Sequence, residues 1–284
     1  MTLIECLSKN RFSILLVTAL LIYIYYKVIY GMFIVWSNDD NYSHGYFIPL
    51  ISGYFTWRAW PALKDSIIAP SIFGFIIFLI GILQLLIGSF CIEYFTIRTS
   101  LITVTFGIFS FLFGNKIVNI VVFPLNYLFF MIPIPYIAYD LIAFPLKQLA
   151  TKVSVLIFRV FDISILNEGS KIIFSNATLE VADACSGLRS VMTLFALTTA
   201  YSFIISMPLS SRILLTLSAI PTAVFLNIMR IAISGVLVNQ FGETAISGAF
   251  HEIAGILTFI FAIIITAAIA SFLLYLPTQK SIKS

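Results

Sequence analysis

Runs of apolar residues long enough to cross a bilayer recur from Phe12 to Leu276, separated by short polar joints. Hydrocarbon offers no water to satisfy backbone N–H and C=O groups, so such runs fold as helices whose hydrogen bonds close internally. Of the 284 residues, 61% are hydrophobic and 10% charged, whereas a soluble domain carries about 25% charged residues. Mean hydropathy is +1.08. These values exclude a soluble fold and predict an all-α, polytopic membrane protein.

Hydropathy predicts eight spans, near Phe12–Trp36, Gly45–Trp57, Ile67–Phe90, Phe95–Gly114, Ile117–Ile132, Leu188–Met207, Ile213–Val238 and His251–Leu276. The first run is too long for the apolar core of a cleavable signal, about 7–15 residues, and is expected to remain as a spanning helix. The stretch Tyr136–Phe161 carries Asp140, Lys147, Lys152 and Arg159. Its three cations interrupt what would otherwise be a span, so it is read as an amphipathic helix lying at the interface.

Loop charge orients this arrangement. With the N-terminus inside, the cytoplasmic segments hold Lys9, Arg11, Arg58, Lys64, Lys116, Arg212, Lys280 and Lys283, against the acids Glu5 and Asp65. The outer segments hold Asp39, Asp40, Glu93, Asp140, Asp162, Glu168, Glu180, Asp183, Glu243 and Glu252. Arg98, Lys147, Lys152, Arg159 and Lys171 run against the rule; those of the amphipathic helix are accommodated if it touches anionic head groups. Both termini are therefore expected in the cytoplasm. The net charge of +4 reads as topology, not as nucleic-acid binding.

Cys6, Cys91 and Cys185 are too few and too far apart for a disulfide framework or a metal site, and no cofactor is called for. The longest polar stretch, 162–184, is expected to form a small hairpin or loop outside the bilayer. Its turn signal is Asn167-Glu168-Gly169-Ser170, followed by Ile172-Ile173-Phe174 and Thr178-Leu179-Glu180-Val181 on either side of Ser175-Asn176.

Three ionisable groups stand at span ends on the predicted outer side: Cys185, Arg230 and His251. Ionisable side chains in hydrocarbon are costly, so they are functional candidates. A thiol, a guanidinium and an imidazole are also the parts needed to attack a peptide carbonyl. Asp183 is expected to cap a helix opening at Ala184, which places Cys185 in the first turn, where the helix dipole favours a thiolate. Arg189 then shares its face at i+4, and Gly187 leaves room for a peptide backbone. Asn227, Arg230 and Ser234 form a polar stripe at i, i+3 and i+7 that must face the protein interior or a wet cavity; the arginine suits an oxyanion, or an ion pair with Glu252. His251 is a candidate acid–base group, ahead of Ala254 and Gly255, which favour close helix approach. His44 competes for that role or for substrate binding.

The blocks Ala184-Cys185-Ser186-Gly187-Leu188-Arg189, Asn227-Ile228-Met229-Arg230 and His251 with Gly255 resemble the exosortase/archaeosortase family of multipass membrane transpeptidases. Two upstream blocks match as well: Tyr42-Ser43-His44-Gly45 with Pro49, and Met131-Ile132-Pro133-Ile134-Pro135. The resemblance covers about residues 40–260. It implies one exosortase-like domain over residues 1–284, an active site on the extracytoplasmic face of the inner membrane, and a catalytic trio at Cys185, Arg230 and His251. Ser186, Gly187, Arg189, Asn227 and His44 are secondary candidates for support or substrate binding. Implied substrates are membrane-anchored proteins with a C-terminal motif such as Pro-Glu-Pro, a spanning helix and a basic tail, often alongside exopolysaccharide production. The residues by themselves leave three rivals open: a transporter using Arg230 and His251 for an anion, a non-catalytic scaffold in polysaccharide export, and an acyl transferase acting through Cys185.

Overall fold

In the computed structural model, which describes residues 1–175, 177–180, 187–205, 207–242 and 249–282, the chain divides into two compact units, Met1–Pro135 and Tyr136–Ser284. Unit 1 contains helices α1 (Leu3–Lys9), α2 (Arg11–Asn38), α3 (Phe47–Lys64), α4 (Ile72–Cys91), α5 (Tyr94–Phe113) and α6 (Asn115–Tyr127). Unit 2 contains α7 (Tyr136–Val160), strands β1 (Leu166–Glu168), β2 (Lys171–Ile173) and β3 (Thr178–Glu180), then α8 (Leu188–Ile204), α9 (Leu209–Phe241) and α10 (Ala249–Ile282). The all-α membrane architecture is as expected, and each of the eight predicted spans coincides with a helix.

Among the described residues six helices are long and apolar enough to cross a membrane: α2, α4, α5, α7, α9 and, over Ile253–Tyr275, α10. Helix α8 and the segment Asn115–Met131 are shorter apolar helices. The eight expected spans and these six helices therefore differ in membership. Helix α7, expected at the interface, has 25 residues and qualifies by length and composition. Its cations lower its hydropathy without shortening it. One of its faces, with Ala150, Val155 and Phe158, is buried in a cluster with Ile172, Phe174 and Leu179 of the sheet region and Ile231 and Val238 of α9.

In unit 1, α4 and α5 pack through glycines. A Cβ on Gly74 would strike the backbone of Phe111, one on Gly81 would strike Val104, and one on Gly88 would strike Ile97. From α5, Gly107 opposes Phe78 in the same way. Each seven-residue step along α4 is matched by a seven-residue step back along α5, so the helices are antiparallel with backbones in near contact. Helix α2 joins them through buried hydroxyls: Ser100 donates to the Ile97 carbonyl, and its oxygen lies 2.9 Å from that of Tyr25. The Ser52 hydroxyl donates to the Pro124 carbonyl at 2.7 Å, tying α3 to α6.

The two ends of unit 1 differ in charge. At one end the backbone of Leu3 donates to Ser66, Ile68 donates to Met1, and Ala69 donates to Phe113. These bonds gather α1, the α3–α4 joint and the end of α5, with Lys9, Arg11, Lys64 and Lys116 in the adjoining segments. The α2–α3 joint, with Asp39 and Asp40, and the α4–α5 joint, with Glu93, lie at the other helix ends.

The predicted hairpin is a three-stranded antiparallel sheet in the order β1-β2-β3. Asn167 and Glu168, expected in the turn, pair instead with Ile172 and Lys171 as part of β1. Only Gly169 and Ser170 form the turn, and Gly169 adopts φ 63°. A two-residue hairpin turn requires such a left-handed position, which glycine takes without a Cβ clash.

Candidate active site

Within unit 2, α8 and α9 run antiparallel and meet at Gly187 and Asn227. Helix α8 begins at Leu188, and its N-cap Gly187 has φ 83°, ψ −11°. The left-handed region strains any residue with a Cβ. Space is a second constraint, because a Cβ on Gly187 would lie 3.0 Å from Asn227 Nδ2 and 3.2 Å from its Cγ. Glycine is thus required by backbone conformation and by the close approach of the Asn227 amide, neither of which is visible in the local sequence.

Asn227 is 2% exposed. Its Oδ1 accepts a hydrogen bond from Arg230 Nη2 at 3.0 Å. One side chain therefore touches the start of α8 with its amide and holds the guanidinium one turn along α9 with its carbonyl oxygen. Arg230 and Ser234 are half-buried, so the polar stripe turns into unit 2 as its spacing predicts. Helix α9 extends to Phe241, which puts Arg230 about three turns from its C-terminal end, one turn further than the predicted end at Val238 implied. Beyond Arg230, α9 packs closely on α7: a Cβ on Gly235 would run into the Phe158 ring of α7. Ile231 and Val238 lie in the buried cluster that holds the sheet's Ile172 and Leu179. Sheet and α8 start are thus both seated on α9.

Arg189 lies half-buried in the first turn of α8. The described part of α8 starts at Leu188, after the left-handed Gly187, and the expected pairing of Cys185 with Arg189 on one helix face involves a residue outside the described ones. Cys185, Ser186 and the predicted cap Asp183 lie outside the described residues. His251 stands in the first turn of α10; its side chain, and that of Glu252, lie outside the described residues. Helix α10 packs on α9 and α8. The close-approach role expected for Gly255 is not observed, since no described atom comes within 4 Å of where its Cβ would be.

His44 belongs to unit 1, in the 3-10 helix Asp40–Tyr46. It is 8% exposed. Burial lowers its pKa below the ordinary imidazole value, partly offset by hydrogen bonds to the backbone of Phe130 and Asn41. Its neighbours tie the two upstream sequence blocks together. Trp36 Nε1 donates to the Met131 carbonyl at 2.9 Å, and Tyr42 OH donates to the Ile134 carbonyl at 3.4 Å. Gly45 leaves the space that the Trp36 indole fills. These blocks, more than 80 residues apart in the chain, are one packing unit.

A family model described as "Transmembrane exosortase" matches residues 36–268. No curated protein and no solved structure matches the chain.

Proposed function

The chain belongs to the transmembrane exosortase family, and from that premise we propose that it is a membrane-embedded cysteine peptidase and transpeptidase. It acts at the outer face of the inner membrane on exported proteins that end in a short motif, a spanning helix and a basic tail. Both units serve one functional domain, since the family match runs across their boundary.

The observation that carries this reading is the Gly187–Asn227–Arg230 contact. Cys185 precedes Gly187 by two residues, and two residues of chain reach at most about 7 Å. This short separation in sequence supports a site shared by Arg230 and Cys185. The Cys185 thiolate attacks the scissile carbonyl carbon, and Arg230 stabilises the resulting oxyanion. Collapse breaks the C–N bond as His251 protonates the leaving amine, leaving a thioester on Cys185. His251 then takes a proton from the acceptor nucleophile, whose attack releases the product and restores the thiolate. Asn227 positions Arg230, and Ser186, Arg189 and His44 support the site or its substrate.

Reconstitution of the full chain with a membrane substrate of this type tests the proposal. Cys185→Ala is expected to insert normally and to lose processing by about 10⁴-fold or more; wild-type rates from this variant would overturn the nucleophile assignment. Mass spectrometry of the new substrate C-terminus separates transfer from hydrolysis. Alkylation experiments belong in a Cys6→Ser, Cys91→Ser background, because Cys91 is exposed and Cys6 partly so.

A further inference from the structure

An apolar cavity of about 270 Å³ lies at the basic end of unit 1. Leu3 and Leu7 of α1, Ile14 and Thr18 of α2, and Thr56 and Trp60 of α3 line it, with α5 and α6 behind. Its two hydroxyls are already engaged: Thr18 donates to the Ile14 carbonyl, and Thr56 donates to the Ser52 carbonyl. Water would find few partners here, and cavities of this chemistry take apolar guests.

Two of the lining stripes run on to a cation. On α2, Arg11, Ile14 and Thr18 are spaced i, i+3 and i+7; on α3, Thr56, Trp60 and Lys64 are spaced i, i+4 and i+8. A guanidinium and an ammonium thus stand at the same end of the cavity. Trp60, 38% exposed, adds an indole of the kind that settles at the membrane–water boundary. Of the two acids at this end, Glu5 is committed to its own helix, accepting from the Thr2 backbone N–H at 2.9 Å. We infer that this is a binding site for one anionic phospholipid of the bilayer, with an acyl chain in the cavity and its phosphate at Arg11 and Lys64. A zwitterionic lipid would bring a choline cation toward the same pair. The site shares no residue with the proposed active site, so either assignment can fail without the other.

The test uses the full chain in phosphatidylcholine nanodiscs doped with phosphatidylglycerol brominated on its acyl chains, or with equally brominated phosphatidylcholine. Emission quenched in the wild type but not in Trp60→Phe reports this cavity. Brominated phosphatidylglycerol is expected to quench that component at the lower mole fraction, and Arg11→Gln and Lys64→Gln each to reduce the preference about fivefold. Equal quenching by the two lipids would leave only an ordinary lipid annulus and overturn the headgroup assignment; an unquenched Trp60 component overturns the site. Native mass spectrometry of wild-type protein released from mixed nanodiscs gives the same ratio without any substitution. One retained phosphatidylglycerol is the expected result, and no enrichment over phosphatidylcholine is the contrary one.

Discussion

The α4–α5 and α8–α9 pairs are both antiparallel, and each holds a glycine against its partner, but the glycines do different work. In α4–α5 the contacts are Gly74, Gly81, Gly88 and Gly107 against backbone and apolar side chains. Without a hydrophobic driving force between helices in lipid, close van der Waals packing is what holds such a pair together. In α8–α9 the one close glycine contact among the described residues is Gly187 against the amide of Asn227, and that amide holds an arginine. The first pair spends its glycines on adhesion; the second uses one to bring a polar group to the start of a helix. Repeated small residues facing backbone mark scaffold, and an isolated glycine facing a polar side chain marks a candidate site.

This contrast is open to test. Arg230→Gln is expected to lower processing by about 10²–10³-fold, the usual cost of an oxyanion donor, with thermal stability near wild type. Arg230→Lys should not restore it if the proposed role holds, because an ammonium lacks the planar fork that would bond Asn227 and an oxyanion together. Loss of folding instead of rate would make α8–α9 a structural pair like α4–α5. The converse variant is Gly81→Leu, whose side chain has no room beside Val104. It should destabilise the protein by about 3 kcal/mol, measured by thermal unfolding in detergent.

Gly187→Ala combines both behaviours. It should cost about 1–2 kcal/mol for a non-glycine residue in the left-handed region, and it should also lower kcat by pressing on Asn227. Asn227→Ala should reproduce the kcat loss without the backbone strain, and comparing the two variants separates positioning from folding.

The smallest effect is expected at His44. Its folded pKa lies below its ordinary value of 6.5, so the unfolded chain binds the extra proton first. The neutral imidazole's contribution is complete above about pH 6.5 and is lost as pH falls below it. Melting curves at pH 8 and pH 5.5 should show this loss in the wild type and not in His44→Gln. Unchanged stability together with a displaced pH–rate profile would instead give His44 a part in the chemistry.

Much of this protein is set by local chemistry. Eight predicted spans fall on helices because a run such as Ile72–Cys91 has no other way to satisfy its backbone in hydrocarbon, and the polar stripe on α9 turns inward because Arg230 is costly in lipid. Segments where local and tertiary preferences compete were read less well. The cations of α7 suggested a surface helix, yet its Phe158 face is buried against α9 and the sheet. Asn167 and Glu168 look like turn residues and become strand through pairing with β2.

What sequence alone determined is the membrane class and the family, and it nominated the candidate reactive side chains, because composition, hydropathy and short motifs are properties of neighbouring residues. Only the tertiary structure decided which distant pieces meet: Trp36 with Met131, Gly81 with Val104, and Asn227 with Gly187. Such contacts depend on how helices cross and how closely their backbones approach. A sequence records that geometry only as an unexplained glycine.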